Sequence, residues 1–234
     1  MLSDVMEDYL KAIYSLQMEH GPPVSTSDIA EHLGKTPPTV TSMVGKLEER
    51  GLVEREKYKG VELTDEGETV ALEVLRHHRL LEAYLTEHLD YSWSEVHEEA
   101  DALEHHISEE FERRVAAALG NPKVDPHGDP IPSADLTPPD SSGLSTLSDH
   151  EVGDTVVVCR VSDRNPEELE YLSEAGITPG TTIDVTDIAP FGMVTVRVVE
   201  TESEQSLPES VARTIRVREP DGDCQGEDEE VSMA

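Results

Sequence analysis

The chain has 234 residues, room for one large domain or two to three small ones at roughly 100–200 residues each. Its 51 Asp and Glu against 18 Lys and Arg leave a net charge of −33, which argues against nucleic acid as a partner unless bases concentrate locally. No run of about 18 apolar residues exists and the start, MLSDVMEDYLKAIY, lacks a signal-peptide pattern, so a cytoplasmic protein with no membrane role is expected. Acids spread over every segment, with few lysines, fit a salt-rich, halophilic cytoplasm in which surface carboxylates keep a protein hydrated.

From Ser3 to about Glu19, Val5, Met6, Tyr9, Leu10, Ile13 and Leu16 recur at helical spacing, and HGPPV ends the run. The next stretch, STSDIAEHLGKTPPTVTSMVGKLEERGLV, reads as a short capped helix from Ser27 to Leu33, a turn at Gly34 and Lys35, and a second helix capped by Thr36 with Pro37 in its first turn. That is a helix-turn-helix, and GLVEREKYKGVELTDEG adds two short strands around a basic tip, making a winged helix. Beyond Thr64 come one long amphipathic helix and two more ended by Gly120. Trp93 is expected to pack in this helical region or its dimer contact. Pro, Ser, Asp and Gly then dominate up to about residue 146, a linker composition in which His127 of DPHGDPIP reads as a structural turn residue. Four alternating or β-branched runs, DTVVVCRV, TTIDVTDI, GMVTVRVV and RTIRV, predict a small barrel, and the last residues read as disordered. The expected fold is mainly α with a small β part: winged helix-turn-helix (1–63), helical domain (64–124), linker (125–146), barrel (147–218) and acidic tail (219–234).

Charge is the first functional signal. Between Lys35 and Lys59 stand six bases against four acids, so a third of all bases make this segment net positive inside a strongly negative chain. The second helix presents Thr36, Pro38, Thr39, Ser42 and Lys46, flanked by Lys35, and the wing carries Lys57 and Lys59: hydroxyls, apolar surface and ammonium groups suited to phosphate oxygens and thymine methyls. Double-stranded DNA is the expected partner, in preference to a winged helix used for protein contact.

The second signal is VHEEADALEHH, from Val96 to His106. At about 100° per residue, His97, Asp101, Glu104 and His105 fall within an arc of roughly 100°, whereas Glu98, Glu99 and His106 point elsewhere. Either one face collects metal ligands or an acidic helix carries histidines by chance. His78 and Glu82, at i and i+4 on the preceding helix, offer a second pair on one face and favour ligation. The spacing is not that of a zinc protease, since HExxH would need histidine at Asp101, and no GxSxG accompanies it, so an enzyme is not expected.

Together, MEDYLKAIYSL, the helix-turn-helix segment, HHRLLEAYL, VHEEADALEHHISEE and DPHGDPIP resemble the diphtheria-toxin-repressor family of iron- and manganese-dependent transcriptional regulators over residues 1 to about 140. The barrel resembles the SH3-like domain of longer family members. The resemblance implies a homodimer, a helical domain for metal binding and dimerisation, and operator binding, at a palindromic site, when Mn2+ or Fe2+ is held. Position by position, it implies a primary site of Asp8, Asp101, Glu104 and His105, and an ancillary site of His78, Glu82 and His97 with Glu168 from NPEELEYL. Asp8 and Asp101 stand where the iron branch has methionine and cysteine, and these hard oxygen donors favour manganese over iron. Lys11 stands where the manganese branch supplies a second carboxylate, a departure from its paired-metal pattern. The expected function is a metal-dependent repressor of metal-uptake genes. The alternative is a metal-independent winged-helix regulator whose carboxylates only solvate it.

Overall fold

Helix α1 (Asp4–His20) buries Met6, Tyr9, Leu10, Ile13 and Leu16, one face of the expected periodicity. The computed structural model describes residues 2–56, 59–138 and 143–220, so Lys57 and the acidic tail beyond residue 220 lie outside the described residues. Helix α2 (Thr26–His32) is capped by Ser25, whose hydroxyl accepts from the Asp28 amide at 3.1 Å, rather than starting at Ser27. Helix α3 (Pro37–Glu49) has Thr36 at its N-cap position, but that hydroxyl bonds Thr39 Oγ1 at 2.8 Å instead of a backbone amide. Strands β1 (Val53–Glu56) and β2 (Gly60–Leu63) pair antiparallel as the wing, and a Val24–Val61 bridge ties it to the segment after α1. Leu10, Ile13, Ile29, Val40, Leu47, Val61 and Leu72 fill the core under these elements. Leu72 belongs to helix α4 (Asp65–Leu89).

The chain divides into two compact units. The first holds the winged helix through His78, with Leu103–Ser108 and Pro132–Pro138; the second holds Arg79–Ala102, Glu109–Ile131 and the C-terminal sheet. In the second unit, helix α6 (Glu109–Ala118) packs Val115 and Ala116 against Leu80 and Ile131. Helix α5 (Val96–Leu103) precedes it.

The sheet contains β3 (Ser145–Thr146), β4 (Thr155–Val161), β5 (Thr182–Ala189), β6 (Met193–Val198), β7 (Glu204–Pro208) and β8 (Ile215–Arg218). Its order is β3-β8-β4-β5-β6-β7, antiparallel throughout. The four expected runs became β4, β5, β6 and β8, and their alternation is visible in the burial of Ile183, Val185, Val194, Val196, Val198, Ile215 and Val217. Register shifts near Val158 and Val185 introduce bulges that coil the sheet. Helix α7 (Pro166–Glu174) buries Leu169 and Leu172 against this core, and the short α8 (Glu209–Ala212) adds Val211 and Ala212. His150 bridges Ser145 Oγ at 2.7 Å and Asp154 at 3.1 Å, in triad order. Both ends are committed to backbone, Ser145 Oγ to the Val217 carbonyl and Asp154 to the Glu151 amide, so the chain of bonds braces a turn.

Two expectations change. Trp93 packs against the core of the C-terminal sheet and donates from Nε1 to the Pro126 carbonyl at 2.9 Å. Residues 125–131, read as linker, form a buried loop: the Asp125 carboxylate accepts from the amides of His127 (2.8 Å) and Asp129 (2.9 Å), and Val124 bridges Pro130. Pro, Gly and Asp build tight turns as readily as linkers, and composition does not separate the two.

Gly67, in the first turns of α4, approaches the wing so closely that a Cβ would sit 1.9 Å from the Leu52 carbonyl oxygen. Helix propensity alone favours alanine there by about 1 kcal/mol. Packing should win: Gly67→Ala is expected to destabilise by about 2 kcal/mol, in the range of overpacked cores, read as a lower midpoint in urea unfolding. An unchanged or raised midpoint would show that α4 is free to shift.

Candidate metal centre

In the first unit, Asp8 of α1 meets Glu104 and His105 of the turn after α5, with one ligand atom from each within 4.8 Å of the others. His105 lies between two carboxylates, Nδ1 at 2.7 Å from Glu7 Oε2 and Nε2 at 2.8 Å from Asp8 Oδ1, and Nε2 is also 3.4 Å from Glu104 Oε1. Glu104 is fully buried. Lys11 Nζ donates to both its oxygens at 2.7 and 2.8 Å, and His78 Nδ1 lies 2.6 Å from Oε2. His77 Nδ1 donates to the Glu104 carbonyl at 3.1 Å, which holds the turn that carries Glu104 and His105.

Burial raises the Asp8 pKa, against the pull of His105. For His105 burial acts downward, but Glu7, Glu104 and Asp8 outweigh it and hold the imidazole in its charged form above the usual range. Two carboxylates and an imidazole, with no thiolate or thioether, are hard and borderline donors that fit Mn2+ or Fe2+.

The second unit holds another gathering. Glu82 of α4, Asp125 and His127, all buried, bring one ligand atom each within 4.8 Å of the others. His127 Nδ1 stands 3.6 Å from Glu82 Oε2, and its Nε2 is 2.9 Å from the Trp93 carbonyl. Burial works to lower the His127 pKa, yet Glu82 and Asp125 raise it to about 9. His97 Nδ1 lies 3.2 Å from both Glu82 Oε1 and Asp163 Oδ2.

Of the residues singled out from the sequence, Asp8, Glu104 and His105 come together, as do Glu82 and His97, with His78 one turn before Glu82 on α4. Asp101 is exposed and sits 3.6 Å from His97 Nε2. Glu168 accepts from Asn165 Nδ2 at 3.0 Å in the cap of α7, and the carboxylate beside His97 is Asp163, five residues earlier. Sequence reasoning missed Glu7, Asp125, Asp163 and the place of His127. The concentration of Asp and His around Gly128 in DPHGDP was the available signal. Gly128 has φ +85°, and a Cβ there would lie 1.9 Å from the Cys159 carbonyl, so this loop docks backbone to backbone on β4.

The loop is also neutralised from within. Arg79 donates to Asp129 at 2.9 Å and to the Pro130 carbonyl, and approaches Asp125 at 3.7 Å, while Arg160 of β4 reaches Asp129 at 2.7 Å. Burial, then the charges of Asp129 and Glu82, push the Asp125 pKa well up. Arg79→Met is expected to cost about 3–5 kcal/mol in denaturant unfolding, because it strands buried carboxylates. A loss below about 1 kcal/mol would mean that Arg160 alone suffices.

On the winged helix, Lys35, Thr36, Pro38, Thr39, Ser42 and Lys46 are exposed along one end of the second helix of the pair. Lys59 is exposed but pairs with Glu56 at 2.6 Å, and Arg55 is bound to Glu48 at 3.2 Å and to the Thr41 carbonyl at 3.1 Å.

A winged helix followed by helices that gather imidazoles and carboxylates defines a DNA-binding regulator of the metal-responsive class. The sequence matches the iron dependent repressor N-terminal DNA binding domain over residues 1–61, the iron dependent repressor metal binding and dimerisation domain over 64–133, and the FeoA domain over 145–219. The chain belongs to the diphtheria-toxin-repressor family of iron- and manganese-dependent transcriptional repressors. It is 34% identical over 227 residues to the iron-dependent repressor IdeR of Mycobacterium tuberculosis, covering 92% of this chain and 97% of that one. It is 30% identical to the diphtheria toxin repressor of Corynebacterium diphtheriae, covering 93% and 98%. Among solved structures, a manganese-dependent transcriptional repressor in complex with manganese superposes with a TM-score of 0.85 at 38% identity, covering 92% of this chain and 99% of the other. ScaR with bound Zn2+ gives 0.78 at 33%, covering 92% and 99%.

Proposed function

We propose that the chain is a cytoplasmic, non-enzymatic repressor of metal-uptake genes, whose homodimer binds a palindromic operator when Asp8, Glu104 and His105 hold a divalent ion, Mn2+ ahead of Fe2+. The observation that carries this reading is the approach of Asp8, on the first helix, to the Glu104–His105 turn. The bound ion would supply a positive charge shared by these ligands. Asp8 anchors α1, against which α2 and α3 pack, so holding Asp8 steadies the base of the helix that faces DNA. Glu104 would offer the ion oxygens that Lys11 now occupies, and His105 the Nε2 that now meets Asp8. Binding that favours the braced arrangement raises operator affinity by linkage. Two-fold pairing of subunits would repeat the recognition helix and call for a palindromic site. Oxygen and imidazole donors support manganese, although iron accepts the same set. Glu82 stands in two groups, one with His97 and Asp163 and one with Asp125 and His127, and these residues of the second unit are proposed to hold a second ion.

In operator titrations with the full chain at high salt, Mn2+ should tighten binding roughly 5- to 150-fold, the range of allosteric couplings, and a chelator should reverse it. Glu104→Ala and His105→Ala should abolish the gain. Equal operator affinity with and without metal, unaffected by either variant, would instead support the metal-independent regulator. Separately, Lys46→Gln should weaken binding to all sequences and shallow the salt dependence by about one ion; a loss confined to one base position would assign Lys46 to base reading.

A further inference from the structure

We propose that Glu7 is a positioning residue of the Asp8–Glu104–His105 centre, holding the His105 ring so that Nε2, and not Nδ1, faces the ligand carboxylates. This rests on the proposed metal centre and adds a residue to its support. Glu7 and Asp8 are consecutive on α1, so their side chains leave the helix about 100° apart. They meet opposite edges of one ring, at 2.7 Å to Nδ1 and 2.8 Å to Nε2. A carboxylate accepts hydrogen bonds, so in the contact with Glu7 it is Nδ1 that donates. The two edges are not equivalent. Nε2 has Glu104 Oε1 at 3.4 Å in addition to Asp8, whereas Nδ1 faces Glu7, which stands outside the Asp8–Glu104–His105 group. With Nδ1–H held by Glu7, Nε2 would be the ring atom left to face an ion at the Asp8 and Glu104 carboxylates. An outer carboxylate on a ligating imidazole fixes the tautomer, orients the ring and raises its basicity. His105 is nearly buried and Glu7 mostly so, which keeps solvent from replacing the contact.

The test compares the full-length wild type with Glu7→Ala, Glu7→Gln and His105→Ala, reading Mn2+ affinity by electron paramagnetic resonance and the His105 ring nitrogens by 15N NMR of the Cd2+-loaded protein. Glu7→Ala should weaken Mn2+ binding about 10- to 100-fold, the usual cost of losing such a partner. Glu7→Gln keeps an acceptor and should recover part of the loss. In the Cd2+-loaded wild type, the His105 Nδ1 proton should persist with Nε2 bound to metal, and in Glu7→Ala that proton signal should broaden or vanish. Affinity within twofold of wild type in Glu7→Ala would overturn the proposal, as would metal found on Nδ1. Equal losses in Glu7→Ala and Glu7→Gln would also overturn it, because they would make Glu7 itself a ligand. If His105→Ala binds Mn2+ as tightly as wild type, it is the centre that fails, and the two failures are thereby separated.

Discussion

A fully buried carboxylate, that of Glu104, sets the conditions for the first unit. An ionised group without water is tolerated only when it is paired and hydrogen-bonded. Here Lys11 from α1 and His78 from α4 supply the partners, and His77 secures the backbone of the same residue. One side chain thus brings together a helix at the foot of the DNA-reading module, the long helix α4, and the short turn at residues 103–108. His105 follows directly in the chain, so its ring arrives between Glu7 and Asp8 without further devices.

The winged helix shows how little positive charge reaches the surface in such an acidic chain. Local excess of bases identified the segment, yet Arg55 is held by Glu48 and the Thr41 carbonyl, and Lys59 by Glu56. Arg55 braces the wing against α3. Among the described residues, the outward groups include small hydroxyls, two prolines, the ammonium groups of Lys35 and Lys46 and the Arg50 side chain. Such a surface fits contacts that depend on shape and hydration as well as on counterion release.

The helices, the wing and the strands were legible because period 3.6 and period 2 survive in the sequence even at this charge. The separation of Glu104 and His105 from Glu98 and Glu99 was legible for the same reason, although the same arc also held Asp101, which lies beside His97. What periodicity does not encode is contact between elements distant in the chain. Asp163 and Glu168 are both carboxylates of the same stretch, and the fold places Asp163 beside His97 and pairs Glu168 with Asn165. His127 was hidden by its neighbours: a Pro- and Gly-rich stretch reads as exposed, yet Asp125 folds it on itself and Gly128 lets it lie against β4. The role of Glu7 was invisible because one more acid among 51 carries no signal until its partner is known.

The Arg79, Arg160, Asp125 and Asp129 contacts differ in kind from the rest of the protein's electrostatics. At 0.15 M salt, exposed charges more than about 8 Å apart are largely screened, and at 1 M the distance shrinks to about 3 Å. Most of the chain's carboxylates therefore feel one another less as ionic strength rises. The loop carboxylates and Arg79 are buried and Arg160 is partly exposed, and their contacts of 2.7 to 3.7 Å leave no room for mobile ions between them. The shape of the loop that carries His127 is thereby decoupled from the salinity of the medium, while the outer surface is left to respond to it.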